Sequence, residues 1–450
     1  MSARGIRAAC FAFCVVGCGG AAPPAHTAAP HIEADSGGPA PVVAEEPPED
    51  PPALVVRVDE RIEASPPAEP PLAIWDPDAP ITLRPEVVAR VRAIARSAPN
   101  RRADVFAKIG DSATASRTFM RCFTEDDELD LAGRDELRPI IDRFRRTRVA
   151  GRTSFSRESE AAVVGRSVHT LLRGSPSPIV SEVQALSPRF ALVMFGGNDI
   201  EIGRLDLFAH SMLELVDLLA ARGVIPILST IPPRDDDAES DAQVPRYIAV
   251  IEAVARARSL PLIDLHRAML PLPDHGLASD GVHPSAPVVD GRARACDFTA
   301  AGMQHGMNVR NLLNLRLLGH LAGVLASDEE PEVVERPAAA RIEGARFARV
   351  DTTVGGDHAL DRYPGCEGDQ SEAGPERRYA LTVDAPGAVR AEVMYGGDVD
   401  VDVHLLRDGA CVARGDRVLE ATVTPGAYEL VVDTFESDRH AGEFTLLVER

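Results

Sequence analysis

The sequence has few aromatic residues and a shortage of positive charge. Only 4% of its 450 residues are aromatic, one of them tryptophan, and 48 Lys and Arg face 69 Asp and Glu, a formal net charge of −21. This imbalance argues against a surface that binds nucleic acid or an anionic membrane face through charge. The scarcity of aromatic rings argues against a broad stacking platform for sugars. With 45% hydrophobic residues, the chain can still bury one large core and a second, smaller one.

The amino terminus carries an apolar run that is too short to span a bilayer. Two arginines precede the run, which is the layout of a secretory signal. Its end, Val15-Val16-Gly17-Cys18, resembles a bacterial lipobox, in which the cysteine is lipid-modified and becomes the first mature residue. We therefore expect a signal peptide over residues 1–17 and lipidation at Cys18. Gly19 stands where an aspartate would retain such a protein at the inner membrane, so the resemblance implies an exported, outer-membrane or cell-surface lipoprotein. The alternative is an ordinary signal peptide cleaved nearby.

A proline-rich segment follows, which we interpret as a disordered tether over residues 18–80. Residues 21–80 contain 15 of the 36 prolines and 12 acidic against 2 basic residues. This composition cannot bury enough apolar surface to fold, and its like charges favour an extended chain. Trp75, near the end of the tether, is expected to pack on the domain that follows.

Residues 81–330 alternate between helix and strand patterns. Four short apolar runs are typical of buried strands: ADVFAKIG, RFALVMFGG, GVIPILSTI and LPLIDL. Helical patterns precede and separate them, among them RPEVVARVRAIARS, residues 207–221 and residues 247–258. We therefore expect an α/β domain with a parallel sheet between two helix layers, and a ligand site beyond the carboxyl ends of the strands.

The pattern changes again at a predicted linker over residues 331–342. Beyond it, residues 343–450 contain short alternating runs punctuated by Gly, Pro and Asp, which predict an all-β sandwich. The stretches GDVDVDVHLLRDG, PGAYELVVDTF and GEFTLLVE resemble the pre-peptidase C-terminal domain, a jelly-roll-like module appended to secreted hydrolases. Strand residues that alternate toward solvent would explain the acidic positions Asp398, Asp400 and Asp402, and a calcium site is the alternative.

Four cysteines remain beyond Cys18, and exported chains tend to pair such residues. Two lie in the central domain and two in the C-terminal one, so the simplest pairing is one disulfide per domain. Four free buried thiols are the alternative. The residues are Cys122, Cys296, Cys366 and Cys411.

Three short motifs stand at the ends of predicted strands: GDS at 110–112, GGND at 196–199 and SDGVHP at 279–284. Ser112 is either the cap of a helix or a nucleophile. A serine nucleophile needs a base to take its proton, and the base needs an acceptor that orients it. His283 and Asp280, three residues apart on one loop, supply both.

The oxyanion formed by such an attack needs preorganised hydrogen-bond donors. The candidates are the backbone N–H of Ser112, the side-chain amide of Asn198, and one N–H from a glycine turn. We predict Gly165 for the last, since it precedes a helix and lies between the first and third motifs, with Gly151 as its competitor.

These ordered motifs resemble those of the SGNH hydrolases, the GDSL-type esterase and lipase superfamily, over about residues 100–325. The resemblance implies a three-layer α/β/α fold, Ser112 as nucleophile, Asp280 and His283 as its triad partners, and Ser112, Gly165 and Asn198 as oxyanion donors. The sequence departs from the family pattern at Ala113, where the family name has leucine, and in its glycine block.

We therefore expect a lipid-anchored serine esterase that requires no cofactor and acts on a small acyl ester or an acylated glycan. Transfer of the acyl group to a surface glycan, deacetylation of such a glycan, or a non-catalytic surface-binding role are the alternatives. His266, His275 and His305 lack a metal-ligand spacing and are assigned structural roles. The run from Arg234 to Asp237 is interpreted as a solvated loop at the catalytic rim, or as acids that select a cationic substrate.

Overall fold

The computed structural model describes residues 71–333, 341–366 and 371–450. The predicted signal peptide, Cys18 and the tether up to residue 70 lie outside these residues.

A four-stranded parallel sheet forms the centre of the first domain. Its strands are buried along most of their length, as expected for a sheet covered on both faces. They are arranged in the order β1-β3-β4-β5, and every neighbouring pair is parallel. The bounds are β1 Arg102–Gly110, β3 Pro188–Met194, β4 Ile225–Ser229 and β5 Leu262–Ile263. All four strands predicted from the sequence are present.

Two groups of helices cover this sheet: α10 contacts α1 and α3, and α7 contacts α4 and α8. The fold is the expected three-layer α/β/α arrangement. Helix α8 begins nine residues earlier than predicted, because Asp237 caps it on the N–H of Ser240 and the helix continues through Pro245. The helices are α1 Pro85–Ser97, α2 Ser112–Ala115, α3 Arg138–Arg146, α4 Val168–Leu172, α5 Pro178–Leu186, α6 Gly197–Ile202, α7 Leu205–Ala221, α8 Ala238–Ala257, α9 Leu265–Met269 and α10 Gly306–Ala326.

Small elements complete this domain. Strand β2 (Leu129–Asp130) pairs with β8 (Cys296–Asp297), and β6 (Val288–Val289) pairs with β7 (Arg292–Ala293). Short 3-10 helices lie at Arg121–Thr124, Asp135–Leu137, Pro273–Gly276 and Gly302–Gln304.

The folded domain begins before residue 81. Ile74 forms a parallel bridge with Ile263 of β5, and the guanidinium of Arg267 lies 4.1 Å from the ring centroid of Trp75. The end of the segment assigned to the tether therefore extends the sheet, and Trp75 packs on the domain as predicted.

The C-terminal domain is a sandwich of two sheets. One has the strand order β10-β17-β12-β15 and the other β14-β13-β16-β11-β9. The three stretches quoted from the sequence contain β13, β16 and β17. A 3-10 helix lies at Asp438–His440. The strands are β9 Arg341–Ile342, β10 Arg346–Thr352, β11 Glu376–Val383, β12 Gly387–Met394, β13 Val401–Arg407, β14 Ala410–Gly415, β15 Val418–Val423, β16 Gly426–Thr434 and β17 Glu443–Glu449.

The acidic positions of the sandwich do not all face solvent. Asp398 and Asp400 are exposed, but Asp402 is buried. Burial and the neighbouring Glu372 raise the pKa of Asp402 to about 7. No group of three or more His, Cys, Asp or Glu in the described part of the chain is placed to hold a metal ion.

The two domains share a packed interface. Helix α8 contacts β10 and helix α7 contacts β12, while Met394 and Leu447 of the sandwich join the hydrophobic core of the first domain. Arg246 on α8 forms ion pairs with Glu392 at 2.5 Å and Glu449 at 2.9 Å. The sandwich is therefore held on the helices of the first domain.

Each domain contains one disulfide, Cys122–Cys296 in the first and Cys366–Cys411 in the second. The pairing of one bridge per domain is thus the one expected. Among the residues the structure describes, none of the helices combines the length and the apolar character that a membrane crossing requires.

Candidate active site

Ser112 is the first residue of α2, immediately beyond the carboxyl end of β1. The cap of this helix is Asp111, whose Oδ1 accepts a hydrogen bond from the N–H of Ala113 at 3.1 Å. The hydroxyl of Ser112 is therefore not used as a cap. Its Oγ lies 2.7 Å from Nε2 of His283.

His283 is held by the loop that carries it. Its Nδ1 lies 2.8 Å from Oδ2 of Asp280, and Oδ1 of the same carboxylate accepts the backbone N–H groups of Val282 and His283, each at 3.0 Å. Partial burial raises the pKa of Asp280, but these hydrogen bonds outweigh it, so its pKa lies below the ordinary value. Asp280 is therefore ionised at neutral pH and oriented toward the imidazole.

The turn of this loop depends on Gly281. Its φ is +68°, and a Cβ at this position would lie 2.8 Å from the backbone nitrogen of Asp236. The carbonyl of Gly281 accepts the N–H of Asp235 at 2.8 Å. The loop thus packs backbone to backbone against the segment after β4, which only glycine permits.

Asn198 lies in the first turn of α6, just beyond the end of β3. The turn before it requires Gly196, whose φ is +133° and where a Cβ would lie 2.7 Å from Cγ2 of Ile231. Nδ2 of Asn198 lies 3.5 Å from the carbonyl oxygen of Arg166, a long contact. Asn198 and Ser112 line the same cavity, with a volume of about 100 Å³.

Gly165 lies in the exposed loop before α4, with a φ of +72°. Its neighbour Arg166 contacts Asn198, and the N–H of Val168 donates to Asp199 at 3.2 Å, so the loop is attached to α6. Gly165 itself is not among the residues that line the cavity at Ser112, and neither is its competitor Gly151.

Three buried ionisable residues support the site: Asp111, Arg310 and Asp199. The N–H of Gly197 donates to the carboxylate of Asp111, which thereby joins the ends of β1 and β3. Burial raises the pKa of Asp111, although the nearby Arg310 opposes the shift. Arg310 donates to the carbonyl of Ala113 at 2.7 Å and so fixes the position of α2. Burial also raises the pKa of Asp199, to about 7.

The sequence motifs do not identify Arg310 as a residue of the site. Its only signal is a charged residue in the middle of the apolar helix α10, where it is 1% exposed.

In the run from Arg234 to Asp237 the three acids are exposed, as expected for a solvated loop, whereas Arg234 is buried and lines the cavity at Ser112. Its guanidinium pairs with Asp236 at 2.7 Å and Glu201 at 2.6 Å. Asp235 pairs with His275, and Asp237 caps α8. All three acids thus have a partner, and all three remain exposed to solvent.

Residues 108–287 match the GDSL-like Lipase/Acylhydrolase family. This segment is a GDSL-like acylhydrolase domain. The chain therefore carries an ester-hydrolysing serine hydrolase domain, and the sequence motifs led to the same family. A search of curated proteins finds no significant match.

Solved structures resemble both parts of the chain. A GDSL-like lipase from Bacteroides thetaiotaomicron is 15% identical, with 53% of this chain and 99% of that one covered and a TM-score of 0.31. A catalytic mutant of an acetylxylan esterase from Geobacillus stearothermophilus is 17% identical, with 48% and 93% covered and a TM-score of 0.32. The pre-peptidase C-terminal domain of a collagenase from Bacillus anthracis is 20% identical, with 26% and 100% covered and a TM-score of 0.19.

Proposed function

We propose that the GDSL domain hydrolyses esters of short acyl groups through a triad of Ser112, His283 and Asp280. The observation that carries the proposal is the line of contacts from Ser112 Oγ to His283 Nε2 at 2.7 Å and from His283 Nδ1 to Asp280 Oδ2 at 2.8 Å. Both distances are hydrogen-bond distances, as transfer of the serine proton to the imidazole requires.

In this mechanism Oγ of Ser112 attacks the ester carbonyl while Nε2 of His283 takes its proton. The imidazolium then protonates the departing alcohol, and Asp280 stabilises its charge. Water, deprotonated by the same imidazole, releases the carboxylic acid and restores the serine.

The oxyanion donors of the proposal are the backbone N–H of Ser112, the side chain of Asn198 and an N–H from the loop that contains Gly165. The N–H of Ser112 donates to none of the described residues, as is usual in the first turn of a helix. Asn198 lines the same cavity as Ser112. The contact between Asn198 and Arg166 brings the loop of Gly165 to this side of the site.

The size and lining of the cavity beside Ser112 support the proposal that the acyl group is short. Its volume of about 100 Å³ lies below the range of about 300–1,000 Å³ that is typical of small-molecule sites. Apolar side chains of Met194, Ile231, Pro232 and Val282 line it, and the charge of Arg234 is already paired.

The decisive experiment compares the purified protein with Ser112→Ala on p-nitrophenyl acetate, butyrate and octanoate. We expect hydrolysis of acetate and butyrate, slower turnover of octanoate, and loss of activity by a factor of about 10³ or more in Ser112→Ala. Ser177→Ala is the matched control, because Ser177 is also at a helix start but only caps α5.

Labelling with a fluorophosphonate probe separates the alternatives. If folded wild-type protein neither turns over these esters nor reacts with the probe, the hydrolytic proposal is wrong and a binding role takes its place. If an added glycan receives the acyl group in preference to water, the same residues serve a transferase.

We further propose that the protein is exported and anchored through a lipid on Cys18. The apolar run that ends in Val15-Val16-Gly17-Cys18 supports this, as do the two disulfides, because such bonds persist in oxidising compartments. Expression of the full chain in a bacterium with two membranes should place it in the outer-membrane fraction. The variant Cys18→Ala should leave that fraction, and its recovery there unchanged would refute the anchor.

A further inference from the structure

A second cavity, larger than the one at Ser112, lies on the other side of α2. Ser112 and Ala113 line the ester cavity, whereas Thr114 and Ala115, in the same short helix, line the second one. Its volume is about 340 Å³, within the size range of small-molecule sites. We call it the basic cavity. The loop from residue 157 to 162 forms its other wall.

The most buried charge in the basic cavity is Lys108, in β1. The residue is 8% exposed, and its Nζ donates to the carbonyl oxygen of Phe155 at 3.3 Å. An ammonium group has three N–H donors, so two have no acceptor among the described residues. Burial lowers the pKa of Lys108 to about 8, and the nearby Glu182 opposes that shift, so most of the group is charged at pH 7. A buried cation with so few partners is costly unless another group completes its hydrogen bonds.

Three arginines also line the basic cavity. Arg157 directs Nε and Nη2 to Glu182, which leaves Nη1 available. Arg121 lies 3.6 Å from Glu158, an exposed and loose pair. Arg117 is exposed and has no hydrogen bond or ion pair to any described residue. Counting the buried lysine, four cations face two carboxylates, in a chain whose net charge is −21.

We propose that the basic cavity binds a small ligand through its phosphate or carboxylate group, with Lys108 as the buried contact and Arg117 at the mouth. The reasons are the unpaired donors of a buried ammonium, the local excess of cations and a volume that admits more than an inorganic ion. Arginine and lysine are the residues that recognise such oxyanions by charge-assisted hydrogen bonds. The proposal is independent of ester hydrolysis, since none of these cations lines the cavity at Ser112.

The test is calorimetric titration of the purified full chain at low, constant ionic strength. The probes are inorganic phosphate, glucuronate as a carboxylate and glucose as its uncharged counterpart. We expect saturable binding of at least one anion, and no binding of glucose. Tighter binding of phosphate or of glucuronate identifies which oxyanion the cavity prefers.

Two variants locate the binding. Lys108→Met removes the buried charge with little change of volume, and Arg117→Met removes an exposed charge that no fold contact requires. Each should weaken binding about tenfold or more, and thermal melting checks that both are folded. Arg148→Met is the control, because this exposed arginine lies outside the cavity and only contacts the carbonyl of Gly151. No saturable anion binding by the wild type, or equal binding by Arg117→Met and the wild type, would overturn the proposal.

Discussion

Ser112 and His283 are 171 residues apart in the chain, yet Oγ of the serine lies 2.7 Å from Nε2 of the imidazole. The contact depends on two loops at the same edge of the sheet, one after β1 and one before α10. Four predictions test how these loops and the neighbouring domain act.

Replacement of Asp280 by asparagine should abolish most activity without unfolding the protein. An amide N–H would then face Nδ1 of His283 and favour the tautomer that cannot take the proton of Ser112. We expect kcat to fall by about 10³-fold or more with KM little changed. The matched control is Asp235→Asn, because Asp235 pairs with His275 at 3.0 Å and has no contact with Ser112. Equal losses in both variants would contradict a specific role for Asp280.

Gly281→Ala should misplace His283. The added Cβ would meet the backbone of Asp236 and force a positive φ on alanine, so we expect kcat to fall about 10-fold to 100-fold and stability to fall by about 1–3 kcal/mol. Gly291→Ala distinguishes the effect of a positive φ on alanine from the effect of a steric clash of its Cβ. Gly291 has a similar φ of +74° but nothing lies within 4 Å of its Cβ, so this variant should keep its activity. Steady-state kinetics and thermal melting of the two variants make the comparison.

Asp433 should make the sandwich less stable as pH rises. Burial raises its pKa to about 8, and the nearby carboxylates of Glu376 and Glu372 add to the shift. The folded state therefore holds a proton that the unfolded chain releases above about pH 4, and stability is lost as pH rises toward 8.

Asp433→Asn should remove this loss, because an amide has no proton to release. We expect the variant to match the wild type near pH 4 and to exceed it by on the order of 2 kcal/mol at pH 8.5. Urea unfolding at the two pH values measures the difference. Asp398→Asn, which changes an exposed carboxylate, should follow the wild type at both. A constant offset between Asp433→Asn and the wild type would show that the proton on Asp433 is not the cause.

Arg246→Met should weaken the attachment of the sandwich to α8. It would remove one of the two cations that Glu392 and Glu449 each contact at the interface. Since Glu392 keeps Arg390 and Glu449 keeps Arg346, we expect a cost of about 1 kcal/mol. We expect calorimetry to resolve two unfolding transitions where the wild type has one. In Arg204→Met an exposed pair with Asp206 is lost instead, and the melting profile should hardly move. A single unshifted transition in Arg246→Met would mean that apolar contacts hold the domains together.

The sequence predicts the catalytic domain's sheet and the Asp280–His283 pair well, because both depend on local patterns. A continuous apolar run such as β3 needs burial on two faces, and a spacing of three residues lets one loop place a carboxylate beside an imidazole. The order of the three motifs then predicts that Ser112 lies near the Asp280–His283 pair.

Contacts between distant segments could not be predicted in this way. Arg310 reaches α2 from a helix near the end of the domain, and no local pattern specifies its partner. The role of Gly165 depends on how an irregular loop folds, and turn chemistry does not fix which N–H faces the cavity. Arg234 is buried beside exposed acids, and one of its two carboxylate partners is Glu201 on α6, which no local pattern indicates.

The disulfide between Cys122 and Cys296 shortens the chain path that must close when the serine and the histidine come together. Ser112 lies ten residues before Cys122, and His283 thirteen before Cys296. Through the sulfur bridge the chain path between them is about 24 links instead of 171, which lowers the entropy cost of their encounter by on the order of 2 kcal/mol. In an oxidised chain the two residues are joined by a path no longer than a peptide, whereas in a reduced chain most of a domain separates them.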